Sequence, residues 1–119
     1  SIASNFETGH SVVEGGGGAW VTNFHMISHR IKMSAVKDFH WQKTGKGWRA
    51  RFCPMGEGMV DWKRAFQMFK EIGFSGPFSY HMEYHTEGDT PEEEHKNLMR
   101  DLTRDGQYIR QVMKEIGWT

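Results

Sequence analysis

Two helix endings in this chain nearly repeat: Lys70-Glu71-Ile72-Gly73-Phe74 and Lys114-Glu115-Ile116-Gly117-Trp118. Endings that recur in this way imply a repeated strand-helix unit. The hydrophobic pattern reads strand, helix, strand, helix, strand, helix. Strands separated by helices must run parallel and connect through right-handed crossovers, because a tight turn joins only antiparallel neighbours. The fold class is therefore α/β, built of three consecutive parallel strand-helix units.

Residues 1 to 6 are the first expected strand, followed by Glu7-Thr8-Gly9-His10. The glycine run 15–18 then reads as a flexible loop. Trp20, Phe24, Ile27 and Ile31 recur at helical spacing, which predicts a helix from about Ala19 to Arg30. Its opposite face carries His25 and His29, a solvated pair without a carboxylate beside it. Ile31 to Lys37 is the second strand, with Asp38-Phe39-His40-Trp41 at its end. Residues 42 to 60 read as a long loop with a small hairpin around Gly45 to Gly47, and a loop of that length is usually functional.

Asp61 is placed to cap a helix whose Trp62, Ala65, Phe66, Phe69 and Ile72 form an apolar stripe ending at Gly73. In Gly76-Pro77-Phe78-Ser79-Tyr80-His81-Met82-Glu83-Tyr84-His85 the side chains alternate. A strand here puts Phe78, Tyr80 and Met82 on one face and Ser79, His81 and Glu83 on the other, with Glu83 at its C-terminal end. Thr90-Pro91-Glu92-Glu93 supplies a cap, a first-turn proline and a capping-box acid for a last helix. Leu98, Leu102, Ile109, Val112 and Ile116 keep one phase through Gly106, so a single helix is expected, bent at that glycine.

At 119 residues the chain has the length of one domain, and 15 basic residues against 15 acidic ones leave no basic excess of the kind that marks a nucleic-acid or anionic-membrane binder. No apolar run approaches the roughly 20 residues of a membrane helix, and no signal-like segment opens the sequence. The single Cys53 forms no intrachain disulfide, which fits a reducing cytoplasm and also many exported proteins. The opening Ser1-Ile2-Ala3-Ser4-Asn5-Phe6 reads as a strand already in progress, the mark of a fragment or a processed product.

In parallel α/β architectures reactive groups gather where the strands end at their C-termini. The first strand ends in Glu7 and His10, the second in Lys37, Asp38 and His40, the third in Glu83 and His85. Carboxylates and imidazoles converging from three strands suit a divalent cation: both donor types serve Zn²⁺, Mn²⁺ or Co²⁺, and carboxylates alone suit Mg²⁺. Polar residues are also ordinary on loops, so each position has a bland reading beside this one.

The segments Phe6-Glu7-Thr8-Gly9-His10, Val36-Lys37-Asp38-Phe39, Pro54-Met55-Gly56-Glu57-Gly58-Met59-Val60-Asp61-Trp62 and Gly73-Phe74-Ser75-Gly76-Pro77, leading to Glu83, stand in the order seen in xylose isomerase-like TIM barrels. The chain resembles the sugar phosphate isomerases and epimerases of that family. The resemblance implies that residues 1–119 are the C-terminal portion of a TIM (β/α)₈ barrel, an incomplete barrel holding the last three of eight units. A closed barrel takes about 250 residues.

The resemblance further implies that Glu7 and Glu83 are metal ligands, that Glu83 is also the catalytic acid/base, and that His10 contacts substrate. It adds Lys37, Asp38, Glu57 and His81 to the substrate-binding set. A histidine usually stands two residues before the lysine of the Lys-Asp pair; here that position is Ala35, and His40 is the candidate to replace it as a ligand. The implied reaction moves a proton next to the carbonyl of a sugar or sugar phosphate through an enediolate, with a divalent metal polarising the oxygens. A second carboxylate belongs to units outside this sequence, so the chain alone is expected to turn over no ketose. An apurinic-site endonuclease is the alternative enzyme, and a non-catalytic fragment or binding module the alternative outside enzymes. The exposed edges of a three-stranded sheet imply self-association or a missing N-terminal barrel segment as partner.

Overall fold

The computed structural model describes residues 2–118. Strand β1 (Ser4–Glu7) leads directly into helix α1 (Thr8–Ile27), and a 3₁₀ turn (Ser28–Arg30) precedes strand β2 (Ile31–Val36). Strands β3 (Asp38–Thr44) and β4 (Gly47–Cys53) follow, then helix α2 (Trp62–Glu71), strand β5 (Phe78–Tyr80) and helix α3 (Pro91–Glu115). The strands β1, β2 and β5 form one parallel sheet in the order β1-β2-β5, so the fold is α/β as expected. β1 and β5 are its two edges, and the sheet does not close into a barrel.

The sheet is covered by aromatic side chains from both sides of the crossovers. Phe24 of α1, Phe66 and Phe69 of α2, Phe6 of β1 and Phe78 of β5 meet in one cluster. Phe24–Phe69 and Phe69–Phe78 are edge-to-face pairs with centroids 4.9 and 5.0 Å apart. Such pairs add about 0.5–1.5 kcal/mol each beyond the area they bury. Trp62, buried at the start of α2, and Trp118 after α3 extend the cluster.

The helix ends are capped as the sequence predicts. The Asp61 side chain accepts from the Arg64 N–H at 3.0 Å, and that of Thr90 accepts from the Glu93 N–H at 3.2 Å. α3 runs through Gly106 without a break.

Two expectations need correction. The glycine run is helical, with Gly16 (φ 66°, ψ −173°) the one non-helical residue, a kink between two halves of α1. Glycine costs a helix about 1 kcal/mol per residue, and the burial of Val12 on one side of the kink and of Trp20 and Phe24 on the other offsets that cost. Residues 42 to 60 are likewise not one loop. The hairpin expected around Gly45 to Gly47 extends from Asp38 to Cys53, with Thr44 paired to Gly47 across a two-residue turn. Outward-facing Arg49, Arg51 and Gln42 hide its period-two pattern.

Candidate functional site

The parallel register sets Glu7, Ala35 and Ser79 in one row at the ends of the three strands. Lys37 lies one step past β2. Gly9 brings the first turn of α1 against it: a Cβ on Gly9 would stand 2.5 Å from the Lys37 carbonyl oxygen. That approach is open only to glycine, and it sets Glu7 and His10 beside the lysine side chain.

Glu83, expected at the C-terminal end of the third strand, comes instead from beyond β5, which stops at Tyr80. The backbone leaves the ladder after His81, whose N–H still donates to the Val36 carbonyl at 3.0 Å. The alternation read from the sequence continues past the strand: Tyr80, Tyr84 and Thr86 all turn toward α3. Asp105, fully buried, accepts from the hydroxyls of Tyr80 and of Tyr84 (2.6 Å) and from Arg104 (3.3 Å). Asp101, also buried, accepts from Thr86 (3.3 Å) and Arg100 (3.0 Å). Burial first, and then the hydrogen bond to Asp105, push the Tyr84 phenol up to about 12 and raise that of Tyr80 as well, so both remain donors. The segment is thus pinned at alternate residues, and Glu83 projects from the intervening face.

The result is a chain of charges. The Lys37 ammonium donates to Glu83 Oε1 at 2.8 Å and stands 3.3 Å from Glu7 Oε2. His10 Nδ1 contacts the same Glu7 oxygen, and His81 Nδ1 lies 3.7 Å from Glu83 Oε1. Lys37 is 4% exposed and lies over the Phe52 ring, 5.1 Å from its centroid. Burial alone would lower its pKa, but the hydrogen bonds it donates to Glu83 and Glu7 outweigh that and raise it. Burial would raise Glu7, and its bonds to His10 and Lys37 hold it below the usual carboxylate range instead.

Asp38 does a different job. It is 1% exposed, and its oxygens accept from the backbone N–H groups of Phe39 (2.9 Å), Gly56 (3.0 Å), Gly58 (3.3 Å) and Val60 (3.3 Å). It is the post around which residues 54–60 fold, and no oxygen is left for a sugar. A Cβ on Gly58 would stand 2.1 Å from Asp38 Oδ1, which explains that glycine in the Gly56-Glu57-Gly58 turn. Glu57, exposed on this turn, and His40, exposed on β3, line a second cavity of about 820 Å³ with Arg51, Tyr84, His85 and Arg104. The structure thus brings together Glu7, His10, Lys37, His81 and Glu83, and sets His40, Glu57 and Asp38 apart from them.

The family model of the xylose isomerase-like TIM barrel matches residues 1–104. The chain belongs to this family. Its members include sugar isomerases, epimerases and endonuclease-like proteins. A xylose isomerase domain protein from Planctomyces limnophilus superposes with a TM-score of 0.68 at 20% identity, over 97% of this chain and 39% of that one. The likeness is one of fold, and the chain spans about two fifths of that relative. A xylose isomerase-like TIM barrel protein from Mycobacterium smegmatis, solved in complex with magnesium, matches at a TM-score of 0.45 and 13% identity over 75% of this chain and 29% of that one, too little to carry an argument. No curated protein matches the chain.

In a xylose isomerase-like barrel the strand ends face a common mouth, and the cluster around Lys37 lies there. A metal implied by the family finds the right donor types in Glu7, Glu83, His10 and His81, but not the right arrangement. The Lys37 ammonium bridges the two carboxylates, Ala35 stands in their row without a donor, and His40 lines the other cavity. Among the described residues, no three His, Cys, Asp or Glu side chains are grouped so as to hold an ion. As arranged, these residues do not fit a metal centre.

Reading the sequence missed Asp101 and Asp105. Their signal was present as two acids one helical turn apart, each preceded by an arginine and on the phase that β5 faces.

Proposed function

We propose that the chain forms part of a sugar- or sugar-phosphate-binding mouth of the isomerase and epimerase class, with Glu83 as the proton-carrying carboxylate. The observation that carries this reading is the contact of the buried Lys37 ammonium with Glu83 and Glu7 at the ends of three parallel strands. A buried ammonium that keeps its proton polarises a carbonyl oxygen and stabilises the negative charge of an enediolate. Glu83, with its side chain 40% exposed, is open to the mouth and takes the proton from the carbon beside that carbonyl. His10, held by Glu7, and His81, bonded to Ser79 Oγ at 3.1 Å, offer hydrogen bonds to substrate hydroxyls.

One carboxylate can remove a proton and return it on the same face; returning it on the opposite face, as epimerisation requires, takes a second group, which this reading assigns to further barrel units. The two open edges of the sheet are covered in this reading by such a segment or by self-association. The absence of a basic excess supports a sugar ligand over the phosphodiester backbone of the endonuclease-like members. Ala35 in the strand-end row favours a second reading, a binding module that holds sugar without turning it over.

Titration calorimetry with a panel of ketoses and ketose phosphates tests the proposal. Saturable binding lost in Glu83→Gln and Lys37→Met supports it. Binding only to DNA carrying an apurinic site, or sugar binding indifferent to both substitutions, overturns it.

A further inference from the structure

We infer that Lys37 is a built-in cation that takes the place of a divalent metal between Glu7 and Glu83, so that this mouth excludes metal ions. The inference goes beyond the proposed sugar chemistry and does not depend on it. Three observations carry it. The ammonium contacts both carboxylates, at 2.8 and 3.3 Å, and fills the space between them. The lysine has nowhere to withdraw: its side chain is 5% exposed, its stem lies against Gly9, and its ammonium lies over the Phe52 ring. The strand-end row offers no substitute donor, since Ala35 stands between Glu7 and Ser79.

The charge balance is consistent. A divalent ion is needed where several anionic donors converge with no cation among them. Here one fixed positive charge already neutralises one of the two carboxylates, and Glu7 is further satisfied by His10. A metal ion entering the mouth meets the field of an ammonium already held between the two carboxylates. Side-chain hydrogen bonds from lysine also direct the carboxylate oxygens toward the ammonium and away from a shared external ligand.

Paramagnetic broadening by Mn²⁺ alone, with no sugar present, provides the test, read from NMR signals of the 119-residue chain. The exposed acids Glu92, Glu93 and Glu94 at the start of α3 serve as an internal reference for adventitious binding. In the unsubstituted chain, the His10 and His81 signals are expected to broaden no earlier than those of the reference acids. In Lys37→Ala they are expected to broaden first, at a Mn²⁺ concentration lower by about tenfold or more, the effect of removing one like charge at close range. Lys37→Gln keeps the packed stem without the charge and serves if the alanine variant does not fold. Early, saturable broadening of His10 and His81 in the unsubstituted chain overturns the inference. So does a failure of both neutral variants, folded by circular dichroism, to gain any preference over the reference acids.

Discussion

Lys37 and Asp38 are neighbours with opposite tasks. Both are buried, but one points its charge into the mouth and the other spends its charge on the backbone of its own loop. The pH dependence of stability separates them. Lys37 has a folded pKa above its ordinary 10.5, so its contribution is complete below pH 10.5 and is lost as pH rises through the higher folded value. Glu7 has a folded pKa below its ordinary 4.5, so its contribution is complete above pH 4.5 and is lost as pH falls through the lower folded value. Urea unfolding measured across pH should therefore show an acid loss below pH 4.5 and an alkaline loss that Lys37 shares with Cys53, Tyr80 and Tyr84, whose pKa values are also raised, and Lys37→Met should reduce that alkaline loss. Unchanged alkaline behaviour in that variant would contradict the assignment. For Asp38, replacement by Ala strands four backbone N–H groups, and Gly58→Ala drives a methyl into the carboxylate and the Phe39 carbonyl. Each is expected to cost about 1–3 kcal/mol in chemical denaturation. Cys53 is buried, and burial above all pushes its thiol up to about 12, so thiol reagents should label it only after unfolding.

At the scale of elements, β5 is three residues long, yet the segment after it is held as firmly as a strand. Asp105 and Asp101 of α3 do this by binding Tyr80, Tyr84 and Thr86. Asp105→Ala removes the acceptor of two tyrosine hydroxyls, while Arg104 keeps its ion pair with Asp101, a loss of about 3 kcal/mol. Amide exchange should then accelerate in residues 81–87 and leave α2 unaffected; protection that stays uniform would count against this anchoring. Much of this architecture was legible in advance. The helical stripe of α2 and the caps at Asp61 and Thr90 followed from local pattern, because each depends on contacts close in sequence, and the parallel direction of the strands followed from the helices between them. Three features were not legible. The glycine run reads as loop by propensity, and only the packing of Val12, Trp20 and Phe24 makes it helix. The hairpin Asp38–Cys53 has a polar outer face that blurs its alternation. The buried acids of α3 look solvated until the tyrosines that satisfy them are placed nearby. Within the site, Glu7, His10, Lys37 and Glu83 could be gathered from their places at strand ends and His81 from the face it shares with Glu83, whereas His85, also read at a strand end, lines the other cavity. The separation of His40 and the inward turn of Asp38 depend on how the hairpin leaves β2, and no local pattern encodes that.

At the scale of the molecule, the chain belongs to a barrel family and displays a sheet with two free edges. Unpaired strand edges recruit other strands, so sedimentation of the 119-residue chain should show self-association. A stable monomer over a wide concentration range would contradict that expectation. The proposed reading assigns part of the proton-transfer machinery to further barrel units, so the purified chain should bind a sugar without converting it, and measurable turnover of any ketose would refute this division of labour. The most direct measurement maps ketose-phosphate binding residue by residue through NMR chemical-shift changes. The shifts are expected at Glu7, His10, Lys37, His81 and Glu83, and to vanish in Glu83→Gln. Shifts confined to the cavity lined by His40, Arg51 and Arg104, or shifts that persist at the mouth in Glu83→Gln, would contradict the account.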